Sequence, residues 1–303
     1  MISGKGVGGL GVTVTMGGTP TDPIARVAVF STGTVRMHPE HVGPTRKPTP
    51  VWLLTSRRWT EPRPINVFVV EHRDGLVLFD TGQDPASVTD PDYFPGRANK
   101  LVNARMAKIH LDPSDTVEAN LARLGYRIAD VGTAVLSHLH PDHVGGLPVL
   151  RHANIVVSRS EWDTLQVPRP QMRGIYRSHI DMPGLTWKLI TPEPLGDPDL
   201  APFHEGYDLF DDGSVVLLST PGHTPGSLSM LVRRTDRAPL LLVGDLTYDA
   251  RLLAAGQPSG LCDKRVTRSV MEKVNALRYT WPDMAVLPAH DPGSASRLAA
   301  AVA

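Results

Sequence analysis

Beyond about residue 64 the apolar positions come in short branched runs, the pattern of buried strands. INVFVVEH (65–72) and LVLFDTG (76–82) are two such runs, and the RDG between them predicts a hairpin turn. The period changes in DPSDTVEANLARLG (112–125), where Val117, Leu121 and Leu124 fall at i, i+4 and i+7 and give a helix one apolar stripe. Asp112 is placed to cap that helix, Pro113 suits its first turn and Gly125 its stop. TAVLS (133–137), NIVVS (154–158), SVVLLST (214–220), PLLLVGD (239–245) and MAVLP (284–288) predict further strands, and SVMEKVNALRY (269–279) predicts a helix. Strands and helices alternate through the second half, which argues for a layered α/β domain. LVLFDTG and LLLVGDLT share a strand-then-aspartate plan that suggests two related halves.

The remaining segments lack such patterns. Residues 1–23 are broken throughout by glycine and are expected to form a flexible arm; no linker divides residues 24–303, which are expected to form one domain. Residues 38–64 are rich in proline and read as irregular surface structure, able to pack on a neighbour or on the partner subunit of a homodimer.

Charge and cysteine content narrow the chemistry. Lys and Arg number 31, as do Asp and Glu, so the formal net charge is zero and no general attraction to nucleic acid or to an anionic membrane is expected. The basic runs Arg57-Arg58 and Arg233-Arg234 with Arg237 read as solvated faces. Cys262 is the single cysteine, which excludes an intramolecular disulfide and a thiolate metal cluster. Any metal site must therefore use nitrogen and oxygen. The first twenty residues lack the unbroken apolar stretch of a signal peptide, and no run approaches a membrane span. The expectation is a cytoplasmic protein with a small-molecule substrate.

One stretch concentrates ligand chemistry: SHLHPDH, residues 137–143. If the strand TAVLS continues extended, His138 and His140 point the same way and can reach one metal ion. Asp142 and His143 follow on the turn, where they face a neighbouring point and allow a second ion. Burying so many polar groups without a partner is costly. Three further candidates sit at matching places: His223 after SVVLLS, Asp245 at the end of PLLLVGD, and His290 after MAVLP. All four segments are strand ends, where sites collect in layered α/β folds. The other histidines (His38, His41, His72, His110, His152, His179 and His204) read as surface or hydrogen-bonded core residues.

SHLHPDH, PGHTPGS, GDLTY and PAHD in this order resemble the metallo-β-lactamase superfamily over roughly residues 65–292. That resemblance implies an αββα sandwich with two metal ions, usually zinc, at one edge. It implies His138, His140 and His223 on the first ion, Asp142, His143 and His290 on the second, and Asp245 bridging. FDTG is similar to the family's first motif, which gives Asp80 the role of hydrogen-bonding a ligand loop.

Two zinc ions sharing a hydroxide would supply a nucleophile at neutral pH and polarise a carbonyl. Asp245 disfavours true β-lactamases, and His140 disfavours the di-iron oxidoreductases, which typically carry glutamate there. Tyr248, three residues after Asp245, is similar to the N-acyl homoserine lactonases, where a tyrosine contacts the lactone. The expected reaction is lactone ring opening, with Asp142 and Tyr248 as catalytic residues. Pro141 stands where some lactonases carry a bulky aromatic, so acyl preference stays open. The alternatives are a glyoxalase-II-like thioesterase and a metal-binding protein that has lost turnover.

Overall fold

The computed structural model describes residues 13–16 and 22–302. One sheet holds β1 (Thr13–Met16), β2 (Ile24–Met37), β3 (Arg63–His72), β4 (Gly75–Phe79), β5 (Ala107–His110), β6 (Val131–Val135), β7 (Asn154–Ser158) and β8 (Thr186–Ile190). Its order is β1-β2-β3-β4-β6-β7-β8, with β5 pairing the end of β2. The other sheet holds β9 (Glu193–Pro194), β10 (Glu205–Asp208), β11 (Val215–Ser219), β12 (Leu228–Arg234), β13 (Arg237–Gly244) and β14 (Ala285–Pro288), in the order β14-β13-β12-β11-β10-β9. Strands β4, β6, β7 and β8 run parallel, as do β13 and β14.

Side-chain alternation places the layers. In β3, Phe68 and Val70 enter the core between the sheets, while Val67 and Val69 join the core on the opposite face. In β13, Leu240 and Leu242 face between the sheets, and Leu241 and Val243 face away. The helix Val117–Leu124 covers the outer face of the first sheet through Val117, Leu121 and Leu124. The helix Lys264–Thr280 covers the second through Met271, Val274 and Leu277. The architecture is the αββα sandwich.

Three local expectations change. The helix expected from Asp112 begins at Val117, because Thr116 Oγ1 takes the cap by accepting from the Ala119 amide; Gly125 does close it, at φ 90°. Residues 38–64 are not irregular throughout: they include the short helices Pro39–Val42 and Thr49–Thr55, and Trp52 is fully buried. Within the expected flexible arm, Thr13–Met16 pair antiparallel with β2; residues 1–12 and 17–21 lie outside the described residues. Among the described residues no helix is long and apolar enough to cross a membrane.

Candidate metal centre

Every candidate ligand follows the carboxyl end of a strand. His138 and His140 follow β6, His223 follows β11, Asp245 follows β13 and His290 follows β14. Asp142 and His143 sit on the short helix Pro141–Val144, whose proline suits its first turn. The two sheets are tied at this edge by the Leu228 amide, which donates to the Ser137 carbonyl at 2.8 Å. Gly244 makes the approach feasible: its φ is 51°, and a Cβ there would come 2.7 Å from the Ser137 Cβ.

Hydrogen bonds on the outer side of the imidazoles fix which nitrogen carries the proton. His140 donates from Nε2 to the Arg173 carbonyl (2.9 Å), His223 from Nδ1 to the Leu261 carbonyl (3.1 Å) and His290 from Nδ1 to the Pro64 carbonyl (2.9 Å). His143 donates from Nδ1 to Asp80 Oδ2 at 2.9 Å. His138 Nδ1 lies 2.9 Å from Ser137 Oγ, which itself donates to Asp80 Oδ2. Asp80 also accepts the Ser137 amide at 2.7 Å, and it holds a left-handed φ of 63° to do so. The inward nitrogens are thereby left as bare lone pairs.

Those lone pairs converge. His140 Nδ1 is 3.0 Å from His138 Nε2 and 3.0 Å from His223 Nε2. His143 Nε2, His290 Nε2 and Asp245 Oδ1 are buried without a hydrogen-bond partner among the described residues. Asp245 Oδ1 is 3.5 Å from His143 Nε2 and 3.3 Å from His290 Nε2, and Oδ2 is 3.6 Å from His223 Nε2. Asp142 Oδ2 is 3.3 Å from His290 Nε2. Unprotonated nitrogens at such separations repel one another unless a cation lies between them. Ligands about 2.0–2.1 Å from a tetrahedral ion stand about 3.4 Å apart, so this donor set fits metal ions. The groups that could hold one are His138, His140 and His223; His138, His143 and Asp245; and Asp142, His143 and His290.

The electrostatics favour the same chemistry. Burial and the neighbouring histidines hold His138 well below the usual imidazole range and bring His223 down to about 3. Both are neutral, the form that binds metal. Burial opposes charge on Asp245, but His290 and His143 outweigh it and keep the carboxylate ionised. His143 and His290 shift the other way: burial is outweighed by Asp80, Asp245 and Asp142 at His143, and by Asp245 and Asp142 at His290. The carboxylate field that draws a proton to these inward nitrogens would equally draw a metal cation.

A cavity of about 960 Å³ opens over this cluster. His140, Asp142, Asp245, His290, Tyr248 and His41 contribute to its lining, and Met37, Leu53, Val102, Met106, Ile109 and Ile175 supply apolar wall. The Tyr248 ring lies nearly parallel to that of His290, 5.7 Å between centroids, and its hydroxyl meets His41 Nε2 at 3.0 Å.

The profile of the metallo-beta-lactamase superfamily matches residues 60–290. The chain belongs to the metallo-beta-lactamase superfamily. Among curated relatives in this superfamily, the N-acyl homoserine lactonase AttM of Rhizobium radiobacter is 33% identical over 188 residues, covering 61% of this chain and 65% of that protein. The chain thus matches just under two thirds of that relative's length. A solved N-acyl homoserine lactone hydrolase, with the product N-hexanoyl-L-homoserine at its catalytic metal centre, superposes with a TM-score of 0.70 at 21% identity, covering 88% of this chain and 93% of that one. AidC, a dizinc quorum-quenching lactonase, superposes with a TM-score of 0.60 at 17% identity, covering 93% and 91%. These structural likenesses show the metallo-beta-lactamase fold.

All seven candidate ligands and Tyr248 meet at this site, and Asp80 stands behind His143 and Ser137. Sequence patterns did not single out three further residues that the structure places at or behind this cluster. His41, read as an ordinary surface or core histidine, is buried against Tyr248; its Pro-rich setting carries no period to betray it. Arg63 Nη1 donates to the carbonyls of Tyr248 (2.7 Å) and His290 (3.2 Å). Glu161 is fully buried and accepts the Leu139 amide through Oε1 (3.1 Å), and Thr224 Oγ1 (2.7 Å) and the Gly226 amide (3.0 Å) through Oε2. Ser158-x-x-Glu161 matches a capping box, but the carboxylate turns to the two ligand loops instead of the helix start.

Proposed function

We propose that this protein opens the ring of lactones, N-acyl homoserine lactones first among them, with two zinc ions. The supporting observation is the convergence of inward imidazole nitrogens and carboxylate oxygens, with His143 Nε2, His290 Nε2 and Asp245 Oδ1 lacking a partner among the described residues, at the floor of a cavity with apolar walls. His138, His140 and His223 would hold one ion, Asp142, His143 and His290 the other, and Asp245, close to histidines of both groups, would serve both. When bound, the ions supply Lewis acidity, polarising an ester carbonyl and making water acidic enough to attack near neutral pH. AttM, named as an N-acyl homoserine lactonase, supports the substrate class.

The chain's own residues supply the rest. Burial first, and then the Asp245 and Asp142 charges, raise Tyr248 well above an ordinary phenol, so its hydroxyl remains a donor at all working pH values. It donates to the carbonyl oxygen as negative charge develops there. Asp142 is held ionised by His143 and His290 against the effect of burial, and its half-buried carboxylate can carry a proton to the departing alkoxide. The apolar wall receives an acyl chain and excludes water from its length.

Elemental analysis together with turnover of a lactone and thioester panel tests this reading. Two metal equivalents per chain and lactone ring opening that chelation abolishes are expected. Metal-loaded protein that hydrolyses thioesters but leaves every lactone intact would overturn the substrate class.

A further inference from the structure

Three segments border the cavity: residues 44–60, 95–111 and 167–180, which contribute Leu53, Val102 and Met172 among others to its lining. Together they hold eleven Lys and Arg and no Asp or Glu. The rest of the chain therefore holds twenty cations against thirty-one carboxylates. The zero net charge, which argues against attraction to anionic surfaces, is an average over two unlike regions. Ten of the eleven side chains are exposed and Lys100 is half-buried. Seven make no ion pair among the described residues; the others pair with Glu40, Asp92 and Asp181. Counting these three carboxylates with Asp84 and Asp90 and with Glu61, Asp112 and Asp163 beside the segment ends, cations still exceed carboxylates by three.

The same segments carry exposed apolar surface. Of nine exposed large hydrophobic side chains among the described residues, five lie here: Val51, Leu54, Leu101, Val102 and Met172. Leu54, Leu101 and Met172 are 69%, 66% and 77% exposed. The helix Thr49–Thr55 packs on the helix Arg97–Met106, and Asn103 Nδ2 of the latter donates to Tyr176 Oη at 2.5 Å, so the three segments form one rim.

We propose that this rim docks on an anionic phospholipid surface. The exposed leucines and methionine enter the boundary between headgroups and acyl chains, and the cations match the lipid phosphates. A second copy of the chain fits less well, because a two-fold contact sets this face against itself and brings like charges together. Nucleic acid would use the cations but offers Leu54 and Leu101 no apolar layer to enter. Docking turns the cavity mouth toward a phase in which hydrocarbon chains dissolve. The rim also reaches the metal centre, since the Arg173 carbonyl accepts from His140. The inference goes beyond ring opening and does not rest on it.

Flotation of the full, metal-loaded chain with vesicles tests it, without substrate. Binding is expected to vesicles of phosphatidylcholine with phosphatidylglycerol, not to phosphatidylcholine alone, and to weaken as salt rises. Arg57→Gln and Arg105→Gln each lower partitioning about fivefold, the equivalent of about 1 kcal/mol per cation. Leu54→Ser with Leu101→Ser lowers it too, with the salt dependence unchanged. All four side chains are exposed, so melting midpoints should stay near that of the parent chain. Absence of binding to the anionic vesicles at low salt would overturn the proposal. So would binding that ignores the serine variants while duplex DNA is captured equally well, or self-association that Arg57→Gln strengthens.

Discussion

The hydroxyl of Tyr248 lies 3.0 Å from His41 Nε2, and the two rings meet edge to face at 5.2 Å between centroids. His41 fixes where the phenol points. Tyr248→Phe is expected to keep both metal ions and the fold. On the proposed reaction it removes one donor to the developing oxyanion, a load the metal ions would share, so the expected loss in kcat/KM is about ten- to a hundredfold with lactones. His41→Ala should cost less, and the double variant should cost little more than Tyr248→Phe alone, since both act through one hydroxyl. Unchanged lactone kinetics in fully metallated Tyr248→Phe would leave the tyrosine a packing residue only.

The same histidine has a consequence for acid stability. Burial lowers His41 to about 4, against an ordinary value of 6.5. Below 6.5 the unfolded chain takes up a proton that the folded chain refuses until about pH 4, so this site's stabilisation falls as pH drops through that window. The loss amounts to about 3 kcal/mol at its limit. His41→Gln keeps a polar side chain near Tyr248 but cannot protonate, and should flatten the plot of stability against pH between 6.5 and 4. Denaturant melts across that range measure it; parallel curves for both proteins would refute it.

The residues that the structure brings together as candidate ligands were legible in sequence because each belongs to a short local pattern: an apolar run with period two or none, ending in His or Asp beside Gly or Pro. Position along one sheet edge then followed from the strands alone. What escaped was held by contacts between distant segments. His41 and Tyr248 are 207 residues apart, and Arg63 spans 185 residues to the Tyr248 carbonyl. Glu161 carries no local signal of its role, and only the folded chain shows its carboxylate between the loops of His138 and His223. The cap of the helix Val117–Leu124 shows a local competition: Asp112 and Thr116 were both able to cap, and the apolar stripe starting at Val117 favours Thr116.

Glu161 gives a prediction about metal affinity. Its two oxygens satisfy two buried amides and one hydroxyl from the loops that carry His138, His140 and His223. Glu161→Ala leaves the Leu139 and Gly226 amides unpaired, each at about 1–3 kcal/mol, while Thr224 Oγ1 keeps Ser227 Oγ at 2.6 Å. A drop in thermal midpoint is expected, with weaker binding at the three-histidine group. Glu161→Gln keeps the volume but offers one accepting oxygen where two are used, so it should fall between. Competitive chelator titration reads affinity separately from folding. Wild-type affinity in both variants would reduce Glu161 to a core residue.

Asp80 bears on the other half of the centre. It accepts from His143 Nδ1 and from both the amide and hydroxyl of Ser137, and so holds His143 Nε2 toward Asp142 and Asp245. In Asp80→Asn an amide NH₂ replaces one accepting oxygen and faces donors already present. The ring of His143 then loses its fixed tautomer, and metal affinity is expected to fall about 10–100-fold at the ion it holds. The three-histidine group contacts Asp80 only through Ser137 and should keep its ion. Under limiting chelator the variant should therefore retain about one metal equivalent where the parent retains two. Full chelation should lower the thermal midpoint of the parent more than that of the variant, because it has more bound-state stabilisation to lose. Two tightly held equivalents in Asp80→Asn would show that backbone placement alone orients His143.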